Sequence, residues 1–161
     1  MQAIRITRTI SSITCLELNK LKKTDVVIIG AGPCGLFQVF ELGLLGLKSE
    51  IIDSIRQPGG QCSELYPDKP IYDIPAILVC TGEELIDNLL KQIEPFDYGM
   101  TLSDEVSELE KKDDGTFYIK TISGKEFQSS AVVIAGGVGS FQPRKLKFGN
   151  APDYEDSSLH Y

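Results

Sequence analysis

The chain has 161 residues, 42% of them hydrophobic, and a formal net charge of −7. Its length and composition are those of one globular domain with its own core, and its acidic balance argues against nucleic acid as a partner. No apolar run approaches the roughly 18 to 20 residues of a membrane span. Four cysteines without a C-x-x-C pair and a single histidine favour reduced thiols in a cytoplasmic protein, with no metal site and no Ser-His-Asp triad.

Residues 1–22 precede the first predicted strand, and we interpret them as an N-terminal extension of a domain over residues 23–161. The extension contains Arg5, Arg8, serines and threonines, a composition similar to that of an organellar transit peptide. Only these two arginines support targeting, so a dispensable extension or an upstream start codon is the favoured interpretation.

A glycine motif lies between two predicted strands. Gly30, Gly32 and Gly35 form G-x-G-x-x-G after the first strand, and Asp53 ends the second. Gly30 permits a tight turn, Gly32 lets the backbone approach a pyrophosphate, and Gly35 lets a helix pack closely on the strand. The helix N-terminus faces the phosphates, and the acid is placed to accept hydrogen bonds from a ribose. This pattern predicts a dinucleotide-binding function; a glycine-rich turn in another α/β protein is the alternative.

The two strands are predicted over residues 25–29 and 49–52, with a helix between them. Pro33 fits the first turn of this helix, where its missing N–H costs little. The helix runs to about Leu45, and Gly46 is its stop signal. Its predicted apolar face consists of Leu36, Phe37, Phe40, Gly43 and Leu44.

Residues 54–80 contain four prolines and the pair Gly59-Gly60, and a loop of this length in a compact domain is usually functional. The next helix starts with Thr81 as its N-cap and Glu84 as the capping-box partner, and it ends before Pro95. Its predicted buried face consists of Leu85, Ile86, Leu89, Leu90 and Ile93.

Residues 101–128 alternate between apolar and polar, with hairpin turns predicted at residues 113–115 and 123–124. The apolar residues of this meander are Val106, Leu109, Phe117, Ile119, Ile122 and Phe127. A last buried strand over residues 131–135 leads into a second glycine-rich turn at 136–139. The order β-α-β, loop, helix, meander and strand is typical of a flavoprotein that binds two nucleotides, and it predicts an α/β, Rossmann-like fold.

Three segments make a family resemblance specific. Gly59-Gly60-Gln61 follows the second strand, residues 64–75 read ELYPDKPIYDIP, and residues 131–139 form the second glycine motif with FQPR soon after. From about Lys23 to Tyr161, the chain resembles the N-terminal, FAD-binding portion of a ferredoxin–NADP reductase of the thioredoxin-reductase-like type (type 2).

The resemblance implies roles for individual residues. Asp53 is similar to the acid on the adenosine ribose, Gln61 and Tyr66 to the residues that hold the flavin, Val106 to the position whose backbone meets the adenine, and Phe141 to the residue beside the flavin. The expected cofactor-binding residues are Gly30, Gly32, Pro33, Cys34, Gly35, Asp53, Gly60, Gln61, Tyr66, Val106, Gly137 and Phe141.

The resemblance also implies an activity. The whole enzyme would move electrons between NADPH and ferredoxin through FAD and form a homodimer, with no residue of this chain required as an acid or base. The family's NADPH-binding domain and C-terminal FAD segment have no counterpart in these 161 residues, so we expect a fragment that is inactive alone. Alternatives are a thioredoxin-reductase-like pyridine nucleotide-disulfide oxidoreductase fragment and a non-catalytic nucleotide-binding module. A glutathione-reductase-like disulfide is excluded because Pro67 occupies the second cysteine position.

Overall fold

A computed structural model describes residues 21–140, together with Gly149 and Tyr154. Phe141 and most of the N-terminal extension therefore lie outside the described residues. The helices are α1 (Pro33–Leu44), α2 (Gln61–Glu64) and α3 (Gly82–Ile93). The strands are β1 (Lys22–Lys23), β2 (Val26–Ile29), β3 (Ser49–Ile52), β4 (Pro70–Ile71), β5 (Cys80–Thr81), β6 (Tyr98–Thr101), β7 (Val106–Lys111), β8 (Phe117–Thr121), β9 (Glu126–Ser129) and β10 (Ala131–Ile134).

A parallel sheet in the order β10-β2-β3-β6 forms the centre of the fold. The inner strand β2 is an apolar run, and all four residues of the other inner strand, β3, are buried, because both faces of these strands are covered. Val26 and Ile28 of β2 join the core beneath α1 and α3. Val27 of the same strand and Ile52 of β3 join a smaller core on the opposite face, with Ile119 and Phe127. The predicted α/β architecture is confirmed.

The opposite face is covered by a second sheet in the order β1-β9-β8-β7. Its antiparallel strands β7, β8 and β9 are the predicted meander. Both predicted hairpin turns are present, with Gly115 at φ 86° and Gly124 at φ 88°, a region that favours glycine. Ile122, which was assigned to the alternating pattern, instead lies in the second turn and is 69% exposed.

Buried polar contacts connect the two sheets. The Glu50 side chain on β3 is 2% exposed, accepts a hydrogen bond from the Thr101 hydroxyl at 2.7 Å and pairs with Lys22 Nζ at 2.5 Å. Because β1 also pairs with β9, Lys22 is tied to both sheets. The described fold thus includes a residue from the predicted extension.

The apolar face predicted for α1 is covered only in part. Phe37 is 46% exposed and Leu44 is 61% exposed, whereas Val39 and Leu42 are buried. The apolar residues of α1 extend around more of its circumference than the sheet and α3 cover. Gly43 is small for a different reason, since a Cβ there would collide with the Phe96 ring.

The helix boundaries agree with their sequence signals. The backbone turns at Gly46, with φ 71°, and the Gly46 N–H donates to Gly43 O at 2.9 Å. At α3, the Thr81 hydroxyl accepts from the Glu84 N–H and the Glu84 carboxylate accepts from the Thr81 N–H, so the capping box is confirmed.

The sequence patterns missed several short elements. Residues 98–101, β6, are the fourth strand of the parallel sheet and pair with β3, whereas the meander was expected to begin at Thr101. The 54–80 loop contains the one-turn helix α2 and ends in a two-stranded ladder of β4 and β5. These pieces of two to four residues are too short to show a hydrophobic period.

Candidate dinucleotide-binding cleft

A cleft of about 460 Å³ opens beyond the carboxyl ends of β2, β3 and β10, where open parallel sheets bind their ligands. Its walls come from the glycine turn before α1, the end of β3, helix α2, the start of β7 and the turn after β10. It collects ten of the twelve residues that the sequence predicted: Gly30, Gly32, Pro33, Cys34, Asp53, Gly60, Gln61, Tyr66, Val106 and Gly137.

The first glycine turn has two positions where only glycine fits. Gly30 has φ 108°, and a Cβ there would collide with the Ala135 carbonyl oxygen on the neighbouring strand end. A Cβ at Gly35 would collide with the Gly30 carbonyl oxygen. Gly35 does not line the cleft but sets the close approach of α1 to β2. These contacts agree with the roles predicted for both residues.

Gly32 has a different environment. A Cβ on Gly32 would meet nothing within 4 Å, and Gly32 lines the cleft, so its missing side chain leaves space for a ligand. Gly32 is also the N-cap of α1, where no side chain caps the helix and the first turn carries no acid. The free N–H groups of the first turn after Pro33 are therefore available to an anion, and the dipole of this 12-residue helix favours negative charge there.

Asp53 joins the end of β3 to the glycine turn. Its Oδ2 accepts a hydrogen bond from the Ala31 N–H at 2.6 Å, and its Oδ1 accepts one from the Ile55 N–H at 2.9 Å. Each carboxylate oxygen can accept more than one hydrogen bond, so capacity remains for ligand hydroxyls. Asp53, for which ribose binding is predicted, thus holds the glycine turn against the end of β3.

Gln61 and Tyr66 form one unit at the far wall of the cleft. The Tyr66 hydroxyl donates a hydrogen bond to Gln61 Oε1 at 2.8 Å, which leaves the Gln61 amide Nε2 directed toward Gly137. The Lys69 ammonium lies 5.2 Å from the centroid of the Tyr66 ring. Tyr66 therefore has one partner at its hydroxyl and one at its ring, and Gln61 offers N–H donors to the cleft.

The α2 segment is held against the glycine turn by backbone contacts. The Gly59 N–H donates to Ala31 O at 2.8 Å, and a Cβ on Gly60 would lie 3.3 Å from the Gly32 Cα. Gly60 also adopts φ 56°. The pair Gly59-Gly60 thus brings Gln61 and Tyr66 to the same cleft as the first glycine motif.

Several lining residues carried no sequence signal, among them Ser54, Ile55, Asp104 and Glu105. Asp104 precedes β7 and its side chain is 2% exposed. Burial opposes ionisation of this carboxyl, but hydrogen bonds from Ser123 and Thr121 and the nearby Lys125 outweigh it and lower the pKa of Asp104. Its backbone N–H donates to Asp53 O at 3.0 Å, which fixes the meander against the cleft.

The three cysteines within the described residues are free thiols. Cys34 is exposed at the start of α1, and Cys62 lines the cleft from α2. Burial, together with Cys80, raises the pKa of the Cys62 thiol, which makes it a poor nucleophile at neutral pH. The thiols therefore give no support to a redox role for Cys62.

The described part of the chain shows neither a metal-binding cluster nor a membrane-spanning helix. It holds no group of three or more His, Cys, Asp and Glu side chains that could bind a metal ion. None of its helices combines the length and apolar character needed to cross a bilayer.

Comparison of the sequence with known proteins gives strong matches. A protein named ferredoxin–NADP reductase from Methylibium petroleiphilum is 62% identical over 139 residues, which cover 86% of this chain and 38% of that protein. Ferredoxin–NADP reductase 2 from Cupriavidus metallidurans is 58% identical over 137 residues, 85% of this chain and 37% of that protein. The chain thus spans a little over a third of the length of these relatives. No protein-family model matches.

Comparison of the fold gives the same architecture. Thioredoxin reductase from Lactococcus lactis superposes on 81% of this chain with a TM-score of 0.63 and 24% identity, using 40% of its own chain. Thioredoxin reductase from T. acidophilum gives a TM-score of 0.60 over 70% of this chain and 35% of its own. The resemblance found in the sequence is confirmed: over 86% of its length the chain is similar to proteins named ferredoxin–NADP reductase, and its fold is similar to that of thioredoxin reductases.

Proposed function

We propose that the chain is the FAD-binding part of a flavoprotein oxidoreductase. The observation that supports this best is that one cleft unites the uncapped N-terminus of α1, the acid Asp53 and the Gln61–Tyr66 pair. An adenosine, a pyrophosphate and a flavin would each meet chemistry that suits them along this cleft. A simple mononucleotide site does not require the third group.

The residues fit FAD in chemical terms. The amides at the start of α1, beside the open space at Gly32, would hold the pyrophosphate. Asp53 would accept hydrogen bonds from the ribose, and the backbone at Val106 would meet the adenine. Gln61 would donate from Nε2 to an acceptor on the flavin side, while Tyr66 offers an aromatic surface there.

FAD supplies the acceptance and release of electrons when it is bound, and the protein contributes binding and orientation. The proposed role of the residues in this chain is to hold the cofactor and to keep its flavin end between α2 and the Gly137 turn. Asp53 and Gly59, which hydrogen-bond to Ala31 in the glycine turn, keep the two ends of the cleft at a fixed distance. We assign no side chain to an acid or base step.

For the whole protein we propose transfer of electrons between NADPH and ferredoxin, in a homodimer. The names of relatives that are 55–62% identical to this chain support this activity. The part of those relatives that this chain does not match would carry the NADPH site. We therefore propose that the 161 residues bind FAD without catalysing the complete reaction.

The test is a titration of the chain with FAD and, separately, with NAD⁺. Binding of FAD is followed by the change in flavin absorbance and fluorescence, and binding of NAD⁺ by calorimetry. We expect saturable one-to-one binding of FAD that is at least tenfold tighter than that of NAD⁺. Preferential binding of NAD⁺ would instead identify a non-catalytic nucleotide module, and no binding of either nucleotide would refute the proposal.

A further inference from the structure

A second recess adjoins the cleft, and the contacts proposed for FAD leave it unassigned. It has a volume of about 480 Å³ and shares five lining residues with the cleft: Ser54, Ile55, Asp104, Glu105 and Ser140. It does not include the glycine turn or the start of α1. The recess therefore continues the cleft beyond Asp53, away from the expected phosphate position.

Two hydrogen-bonded loops border the recess. The Ser103 N–H donates to Ile55 O at 3.0 Å, and the Asp104 N–H donates to Asp53 O at 3.0 Å. Ser103 adopts φ 55°, a left-handed conformation that is uncommon for a residue other than glycine. These bonds join the loop after β3 to the loop before β7, so the recess has a defined shape.

Arg56 provides the guanidinium of the recess. Its side chain is exposed, and it makes no hydrogen bond or ion pair with any other described residue. Ile122 lines the same recess and is 69% exposed. A cationic plane and an exposed apolar side chain therefore line one space, and the guanidinium has no hydrogen-bond or ion-pair partner among the described residues.

The charges of the recess select the kind of ligand. Besides the guanidinium, three carboxylates line it, from Glu64, Asp104 and Glu105. Within the described residues, Ser123 and Lys125 occupy the Asp104 carboxylate, whereas the carboxylates of Glu64 and Glu105 have no hydrogen-bond or ion-pair partner. An excess of carboxylates disfavours a phosphate. A neutral planar base is favoured, because a guanidinium stacks on an aromatic ring and carboxylates accept from exocyclic amino groups.

We propose that Arg56 is a specificity residue that stacks on the adenine of the bound nucleotide and so makes the site select FAD over FMN. This inference rests on the proposed function for the identity of the cofactor. It assigns the adenine contact to a side chain, in addition to the backbone at Val106. Ile122 forms the apolar side of the same subsite.

The experiment measures the affinities of FAD, FMN and ADP for the 161-residue chain and its variants. Arg56→Gln is expected to weaken FAD and ADP about fivefold to tenfold and to leave FMN within twofold. Arg56→Lys keeps the charge and loses the plane, so it is expected to recover less than half of the loss on a logarithmic scale. Ile122→Ser is expected to act in the same direction.

Lys91→Gln is the matched control, since Lys91 is exposed on α3 and lines neither the cleft nor the recess. It removes the same charge and should change no affinity by more than twofold. Equal losses for FAD and FMN would place Arg56 on the phosphates, and unchanged FAD binding would remove it from the site; either result overturns the inference. So does full rescue by Arg56→Lys.

The FAD and ADP affinities also distinguish a failure of this inference from a failure of the proposed function. If the unaltered chain binds ADP but not FAD, and Arg56→Gln weakens ADP, the flavin assignment fails while the base subsite stands. If FAD binds as proposed and the Arg56 variants match the unaltered chain, only the inference fails. A chain that binds neither nucleotide contradicts both.

Discussion

Asp53 and Ala31 are joined by a 2.6 Å hydrogen bond from the Ala31 backbone N–H to Asp53 Oδ2. This bond connects the end of β3 to the glycine turn between β2 and α1. Strands β2 and β3 are also paired with each other in parallel. The acid of the fingerprint therefore has two tasks in one position. It holds the glycine turn in place, and its oxygen atoms keep acceptor capacity for the ribose hydroxyls that we propose.

Asp53→Asn should cost both stability and FAD affinity. The amide keeps one acceptor oxygen, so one charge-assisted bond to Ala31 or Ile55 is lost, with about 2 kcal/mol of unfolding free energy. FAD affinity should fall at least tenfold.

Asp25→Asn is the control, because Asp25 accepts from the Lys48 N–H at the opposite end of the strands. This substitution should lower the denaturation midpoint without lowering the affinity for FAD. Equal FAD affinity for Asp53→Asn and the unaltered chain would contradict the role in binding.

Two glycines in the same motif should separate binding from folding. Gly32→Ala places a Cβ in open space, so the unfolding free energy should change by no more than about 1 kcal/mol, while FAD affinity falls about tenfold, which is ~1.4 kcal/mol.

Gly35→Ala should instead act on folding, because the new Cβ would collide with Gly30 O. The substitution should lower the unfolding free energy by at least about 2 kcal/mol. Chemical denaturation and FAD titration of both variants decide the matter. A Gly32→Ala chain that binds FAD normally would exclude a phosphate from that space.

Tyr66→Phe should reveal whether Tyr66 acts through Gln61. The substitution keeps the ring and removes the donor to Gln61 Oε1, so the amide loses its fixed orientation. We expect a threefold to tenfold loss of FAD affinity, about 1 kcal/mol, and a change in the bound flavin spectrum. In a Gln61→Leu background the same substitution should have almost no effect. Additive losses in the double variant would show independent roles. Tyr72→Phe, at a 70% exposed residue of the same loop, is the control.

Asp104 should make stability depend on pH. Its pKa is lowered in the folded state, so its contribution is present above the unfolded pKa and is lost as pH falls through the folded value. Asp104→Asn should therefore lower stability by about 1–3 kcal/mol near pH 7. The difference should shrink below roughly pH 4. Denaturation curves across this range provide the measurement, with Asp87→Asn on the exposed side of α3 as control. A difference that does not vary with pH would rule out this titration.

The sequence was sufficient for the features that depend on short spacings. Gly30, Gly35 and Asp53 are recognisable because a turn, a close packing and a strand end each demand a particular residue at a fixed distance. The capping box of Thr81 and Glu84 was readable for the same reason. In the fold, both glycine motifs and the segment after β3 line one cleft.

Other features depend on contacts that no local pattern encodes. Which part of the apolar face of α1 is covered depends on the sheet and α3, so the sequence did not show that Phe37 would stay half exposed. Strand β6 contains Gly99, where a Cβ would collide with the Glu50 carboxylate. Neither the pairing of β6 nor this packing leaves a periodic pattern in the sequence. The bond of Tyr66 to Gln61 and the recess at Arg56 likewise arise only when loops meet.

The most direct measurement of the central claim is a crystal structure of the chain with FAD. The account predicts that the pyrophosphate lies at the N-terminus of α1 beside Gly32, that the ribose meets Asp53, and that the flavin lies by Gln61 and Tyr66. FAD bound elsewhere, or bound in this cleft with the flavin away from Gln61 and Tyr66, would contradict the account.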